Sequence, residues 1–225
     1  MAYDPNFTIL VGGHPQAYGP NGELLMLTAL PNAAPATLAA AKAIPAASKQ
    51  DGAVYTFKDS GQQWRYVASS VLTGDDVLVA TPTDTLGRFI RVDTDVDITA
   101  AVTFATADAA VLYTAPAGFQ LALGVPYQHV TTSWTGGTSS AIGSSSSASG
   151  LTTKGDLLGG AAGDVAAGLL STGAYAKGTK GTDIGSPGAL LVGGDTILFD
   201  RITSVFTAGA GVNHYPVRVL LAPAA

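Results

Sequence analysis

The residues of this sequence that could perform acid–base or metal chemistry are two adjacent aspartates and three histidines. Asp75 and Asp76 stand in the stretch TGDD, and a pair of carboxyl groups can serve as general acid and general base. Adjacent side chains of a strand point to opposite faces, so we predict that this pair caps a loop. His14, His129 and His214 lack HxH or HExxH spacing, so a shared metal site would require them to meet across a symmetry axis. We expect each histidine to be packed or hydrogen-bonded.

The serine and glycine clusters fall short of catalytic and nucleotide-binding motifs. Ser147 occupies the place of the second glycine in a GxSxG elbow around the serine run 144–147. Thr179 stands where a phosphate-binding loop requires lysine, and Gly209 and Gly211 lack the third glycine of a dinucleotide fingerprint. The sequence has no cysteine, which excludes thiolate metal sites and cysteine nucleophiles. We therefore predict that the protein is not an enzyme and holds no cofactor or metal.

Three aromatic residues, Trp64, Tyr66 and Phe89, lie beside arginines and allow two interpretations. Flat rings stack on sugars, so they could form a carbohydrate platform. Alternatively, they are the core of a small β-unit whose arginine stems lie along its rim. The alternation of the surrounding residues favours the core.

Composition limits the classes of partner. Charged residues make up 12% of the 225 residues, about half of the roughly 25% that is usual, so we expect neighbouring molecules to cover much of the surface. The net charge of −5 and the absence of a basic cluster argue against direct binding of nucleic acid. No apolar run approaches the ~18–20 residues of a membrane span, and the first residues do not read as a signal peptide. We expect synthesis in the cytoplasm and no membrane partner.

Breakers and alternation predict an all-β fold in three parts. Residues 1–50 read as an extended arm followed by a short helix between Pro35 and Pro45, and residues 51–93 as a small β-meander of about four strands. Residues 94–225 read as a β-sandwich, similar to a jelly roll. Within it, the Gly/Ser-rich excursion 136–188 is either ordered by sister subunits or a mobile loop.

Several stretches resemble structural proteins of tailed bacteriophages. Residues 44–93, with DGAV, the Trp64-Arg65 pair, GDDVLVA and GRFIRVD, resemble a module that recurs in such proteins. The stretches TTKGDLLGGAAGDVAAGL (152–169), GDTILFDRITSVFTAGAG (194–211) and HYPVRVLLAP are similar to phage head-decoration and minor capsid proteins.

The resemblance implies a virion protein on the capsid exterior, assembled in the host cytoplasm. Such a protein would be a β-sandwich trimer that binds the major capsid protein and clamps neighbouring capsomers without covalent chemistry. TTKGDLL also resembles a tail-fibre repeat. The alternative is therefore a tail, baseplate or head-fibre component with a receptor- or glycan-binding role.

Apolar residues of the arm and of the excursion are the candidate contact residues, although each could equally belong to the core of its own chain. The candidate capsid contacts are Phe7, Ile9 and Val11. The candidate inter-subunit contacts are Leu157, Leu158, Leu169 and Leu170.

Overall fold

The computed structural model of the chain describes residues 8–11, 14–18, 24–25, 35–136, 142–146, 157, 171–176, 190–201 and 206–223. The fold is all-β, as predicted, with antiparallel sheets and little helix. Within these ranges, no helix is long and apolar enough to cross a membrane. In chain order the strands are β1 (Thr8–Val11), β2 (His14–Tyr18), β3 (Leu24–Leu25), β4 (Val54–Thr56), β5 (Gln63–Val67), β6 (Val79–Ala80), β7 (Arg88–Arg91), β8 (Asp95–Thr103), β9 (Ala110–Thr114), β10 (Gln120–Leu123), β11 (Tyr127–Thr135), β12 (Ile142–Ser146), β13 (Tyr175–Ala176), β14 (Leu190–Val192), β15 (Thr196–Arg201) and β16 (Ala208–Leu221).

The N-terminal arm forms a sheet of its own, here called the arm sheet. Its strands lie in the order β1-β2-β3, and both neighbouring pairs are antiparallel. Among the described strands, these three pair only with one another. The described strands of the arm are therefore extended, and they pair with one another.

The predicted helix is present and short. The helix α1 runs from Leu38 to Lys42, and a 3-10 turn, Ala46–Ser48, follows Pro45. Thr37 caps α1, because its backbone is extended and its Oγ1 accepts a hydrogen bond from the Ala40 N–H at 3.1 Å. The helix begins after this cap, and Pro35 therefore lies outside it.

Strands β4 to β7 form the module sheet, whose two hairpins match the prediction. β4 pairs with β5, and β6 pairs with β7, both antiparallel. The spatial order is β4-β5-β7-β6, which differs from a meander because β7 lies between β5 and β6. β7 buries Phe89 on one face and Ile90 on the other, which suits an interior strand, whereas β6 has only two residues and suits an edge.

The two faces of the module sheet pack into different cores. One face buries an aromatic cluster against Ala41 of α1, and Trp64 stacks on Phe57 there with ring centroids 6.0 Å apart. Trp64, Tyr66 and Phe89 are all buried, so they are core residues and do not form an exposed sugar platform. The other face, which includes Ile90, joins the core of the sandwich.

The C-terminal part is a sandwich organised around its longest strand. In the described part of the chain, β16 pairs along one edge with β8 and along the other with β11 and then β10. With β13 beside β11 and β14 beside β10, these strands form the large sheet. The small sheet has the order β12-β15-β9. Residues from both sheets, such as Tyr215 and Ile197, share one buried cluster.

The run FQLALGVPYQHVTTSW, residues 119–134, contains β10 and most of β11, which lie end to end beside β16. Leu123 pairs with Val217, and Tyr127 pairs with His214. Three residues, 124–126, therefore oppose the two residues 215–216 of β16. This is a bulge, and it occurs where Gly124 and Pro126 interrupt the β pattern.

Candidate functional site

The two adjacent aspartates, Asp75 and Asp76, have different structural roles. Asp75 Oδ1 accepts hydrogen bonds from the backbone N–H groups of residues 77, 78 and 79, at 3.0, 2.9 and 2.8 Å. Its Oδ2 accepts the Tyr113 hydroxyl at 2.8 Å. Burial, together with the negative charge of Asp75, raises the pKa of Tyr113 far above its usual range. Asp76 instead pairs with Lys42 at the surface. The predicted loop cap is confirmed for Asp75, whereas the Asp76 carboxylate is held by Lys42.

A chain of buried polar side chains links β11 and β16 inside the sandwich. The indole N–H of Trp134 donates to Gln128 Oε1 at 3.0 Å, and Gln128 Nε2 donates to Asn213 Oδ1 at 2.7 Å. Asn213 Nδ2 donates to the Tyr215 hydroxyl at 2.9 Å. Because a buried polar group without a partner is costly, this chain fixes how the two strands pair.

The Tyr215 hydroxyl makes the stability of the fold sensitive to alkaline pH. Burial is the largest cause that raises the pKa of Tyr215 from the ordinary 10.0 to about 12. Between about pH 10 and about pH 12 the unfolded chain loses this proton while the folded chain keeps it. The free energy of unfolding therefore falls by roughly 2–3 kcal/mol across this window, and the contribution is complete below pH 10.

Tyr215→Phe should remove this part of the alkaline decrease, measured as the urea midpoint at a series of pH values. Tyr175→Phe supplies the control, because it removes a hydroxyl from an exposed side chain and leaves the buried chain around Tyr215 intact. An equally steep decrease in Tyr215→Phe and in the unmodified protein would contradict this assignment.

On the outer face of the large sheet, four rings from three strands meet. His214 of β16 stacks on Tyr127 of β11 with centroids 4.6 Å apart and planes 4° apart. His129 of β11 stacks on Tyr175 of β13 at 4.7 Å and 16°. Tyr127 and Tyr175 are tilted against each other at 6.0 Å. These four residues are the ring row.

A carboxylate closes one end of the ring row. Asp97 lies on β8, which pairs with β16, and its Oδ2 is 2.6 Å from His214 Nδ1. Desolvation of the Tyr127 hydroxyl and the nearby charge of Asp97 raise the pKa of Tyr127. Two of the three histidines are thus packed or hydrogen-bonded, as expected, and they lie in one ring row of a single chain.

A shallow groove of about 680 Å³ borders the ring row at the bulge. Its lining includes small or apolar residues, such as Ala122, Gly124 and Pro216, and the ring of Tyr127. Its lining also includes an ion pair, in which Arg218 Nε donates to Asp95 Oδ1 at 3.2 Å. Asp97, which contacts His214 of the ring row, also lines the groove, and Tyr127 belongs to both the groove and the ring row. The site combines an apolar surface with a few polar groups, as small-molecule sites do.

Of the predicted contact residues, the structure describes Ile9, Val11 and Leu157. Ile9 and Val11 lie on β1, opposite Gln16 and His14 of β2. Leu157 is fully buried in the core of the sandwich, and its N–H donates to the Ser144 carbonyl at 3.0 Å. Its own chain therefore covers its side chain, in agreement with the intrachain interpretation. The other candidates lie outside the described residues: Phe7, Leu158, Leu169 and Leu170.

The ring row was missed by sequence reasoning. The stretch YQHV places Tyr127 and His129 two residues apart, hence on one face of a strand, which was the available signal. The register that puts His214 beside Tyr127, and Tyr175 beside His129, involves strands distant in sequence. Among the described residues, no group of three or more His, Asp or Glu side chains is arranged to hold a metal ion.

Comparison with known proteins adds no information about the fold or the ring row. No protein-family model, curated protein or solved structure matches this chain.

Proposed function

We propose that the protein is a structural virion protein of a tailed phage, which decorates the capsid and clamps neighbouring capsomers without covalent chemistry. Its partners would be the major capsid protein and two further copies of itself in a trimer. The motifs in residues 44–93 and 152–211 support this proposal by their resemblance to phage structural proteins. The observation that carries it is the arm sheet, which is separate from the other described sheets.

An extended arm suits attachment to a shell. Strands with unpaired edges can add to a partner through main-chain hydrogen bonds over a large area. Ordering such a segment costs about 1–2 kcal/mol per residue in backbone entropy. Repetition of the same contact around a shell offsets this cost through avidity.

The module and the sandwich also expose apolar residues. Val71 is 87% exposed, and Val192 and Leu221 are exposed on strands that flank β10. Val192 and Leu221 both pair with Gln120, so they lie in one row across the large sheet. With only 12% charged residues in the chain, such positions favour burial against neighbouring subunits.

Deleting residues 1–34 should abolish capsid binding and leave the β-domain folded. The described residues of the module sheet and the sandwich form buried cores among residues 41–217. Cosedimentation with capsids of the phage that encodes the protein measures binding, and circular dichroism with urea unfolding measures the fold. If the truncated protein still saturates capsids, the role assigned to the arm is wrong.

The ring row favours a second candidate, a tail, baseplate or head-fibre component that binds a receptor or glycan. Tyr175 is 58% exposed, and its neighbours in the row are half-buried on the outer face of the sheet. Labelling of intact virions with an antibody to the chain distinguishes the two candidates. Uniform labelling of the head supports decoration, and labelling confined to a fibre or tail supports the second candidate.

A further inference from the structure

We propose that the groove beside the ring row binds a neutral saccharide, which packs on Tyr127 and forms hydrogen bonds with Asp95, Asp97 and Arg218. This inference deepens the second candidate function, on which it rests for its biological role. The site itself belongs to the folded chain and does not depend on capsid decoration.

The ring of Tyr127 is held in place before any ligand arrives. One of its faces lies against His214, which is fixed in turn by Asp97 at 2.6 Å. Tyr127 also lines the groove. A ring fixed in this way loses little conformational freedom on binding, and it presents an apolar surface to the C–H groups of a pyranose.

The polar groups of the groove match the hydroxyls of a sugar, each of which can both donate and accept. Arg218 uses Nε for Asp95, whereas a guanidinium has five N–H donors in total. A carboxylate has about four lone-pair positions, and Asp97 uses one of them for His214. Charged acceptors and donors give the stronger hydrogen bonds, so these three side chains can orient hydroxyls that lie over the groove.

The dimensions fit a small saccharide. The volume of about 680 Å³ lies within the ~300–1,000 Å³ of typical small-ligand sites. Gly124 allows the chain to lie close to Pro216 at the bulge, because a Cβ there would be 3.1 Å from the Pro216 carbonyl oxygen. The small side chain of Ala122 next to it leaves room for a ring above the strands.

Charge and ring geometry argue against other ligands. An anion would face the carboxylates of Asp95 and Asp97 with Arg218 as the balancing cation. A quaternary ammonium ion needs ring faces turned towards a common cavity. Here the rings are stacked on one another in pairs, so their faces do not form such a cage.

The test is an NMR titration of the full-length labelled protein with defined sugars. The probes are the methyl glycosides of glucose, galactose, mannose and N-acetylglucosamine, and the linear tetrasaccharide of each. They are added up to about 20 mM, because a site with few contacts binds with millimolar affinity. We expect at least one sugar to shift the side-chain signals of Tyr127 and His214. Tyr127→Ala should raise the Kd of that sugar at least about tenfold, equivalent to ~1.4 kcal/mol.

Matched variants separate binding from folding. Phe104 is an exposed ring that does not line the groove, so Phe104→Ala should leave the Kd unchanged. Tyr127→Phe keeps the ring and should retain most of the affinity even if Tyr127→Ala fails to fold. Asp97→Asn should weaken binding severalfold, because it removes a charged acceptor and loosens His214.

The proposal would be overturned if no ring signal shifted with any of the sugars. It would also be overturned if Tyr127→Ala and Tyr127→Phe both bound the sugar as well as the unmodified protein does. A third contrary result would be that choline shifts the ring signals while the sugars do not. Line broadening of the rings with protein concentration alone would assign the face to a second copy and would also overturn it. Capsid cosedimentation is measured separately, and Tyr127→Ala should cosediment normally. Sugar binding without capsid binding would refute decoration and leave this site intact.

Discussion

Replacing Gly209 by alanine should lower the free energy of unfolding by about 3–5 kcal/mol, since two independent penalties meet at this position. Gly209 lies on β16 with φ of +142°, a conformation that residues with a side chain rarely adopt. A Cβ there would lie 2.4 Å from Cδ2 of Trp134. The indole cannot easily move away, because its N–H is held by the buried Gln128.

Urea unfolding, followed by the fluorescence of the two tryptophans, measures the effect of Gly209→Ala. Gly52→Ala is the control, because Gly52 also has positive φ, +76°, but a Cβ there meets nothing within 4 Å. The control should lose only about 1 kcal/mol from backbone strain. Equal losses in the two variants would show that the approach of Gly209 to Trp134 is not a close contact in solution.

Replacing Asp75 by alanine should cost about 3–5 kcal/mol, because one carboxylate serves four donors. Three of them are the N–H groups that lead into β6, and the fourth is the hydroxyl of Tyr113 on β9. Asp75 thus joins the module sheet to the small sheet of the sandwich. Its loss leaves these donors without their acceptor at the edge of the shared core.

The neighbouring residue provides a matched control for this prediction. Asp76→Ala removes a carboxylate of the same type from an exposed pair with Lys42, so it should change stability by less than about 1 kcal/mol. Both variants are compared by urea unfolding at neutral pH. Similar midpoints for the two variants would refute the bridging role of Asp75, and Asp75→Asn should be milder than Asp75→Ala because an amide oxygen can still accept.

Local signals in the sequence were sufficient for the elements whose partners are close along the chain. Breakers and alternation in residues 51–93 predicted the small β-unit that contains the β4–β5 hairpin, and the segment between Pro35 and Pro45 was predicted to hold the short helix α1. The sequence pattern does not determine whether β6 or β7 lies beside β5, because neighbouring strands would be antiparallel in either arrangement. Burial of Phe89 and Ile90 on opposite faces decides it, and that depends on two cores outside the hairpin.

The candidate site required long-range information that a single sequence does not contain. Tyr127 and His214 are neighbours only because β11 pairs with β16 in one register, and a shift by one residue would turn the rings inward. In the sequence, the glycines at 209 and 211 show only that the third glycine of a dinucleotide fingerprint is missing. Their actual role, close packing against Trp134 and Gln128, became visible only with the partner strand in place.

The position of β16 in the chain has a consequence for how the protein is made. This strand lies between β8 on one side and β10 and β11 on the other, yet it follows all three in the sequence. On the ribosome, the module sheet can close as soon as residue 91 has emerged, since its pairings are local. The large sheet must wait, with β8, β10 and β11 unpaired at the edges that β16 will fill, and such edges are prone to aggregate. Completion of the sandwich is therefore tied to translation through residue 221, and the nascent chain is most vulnerable just before that point.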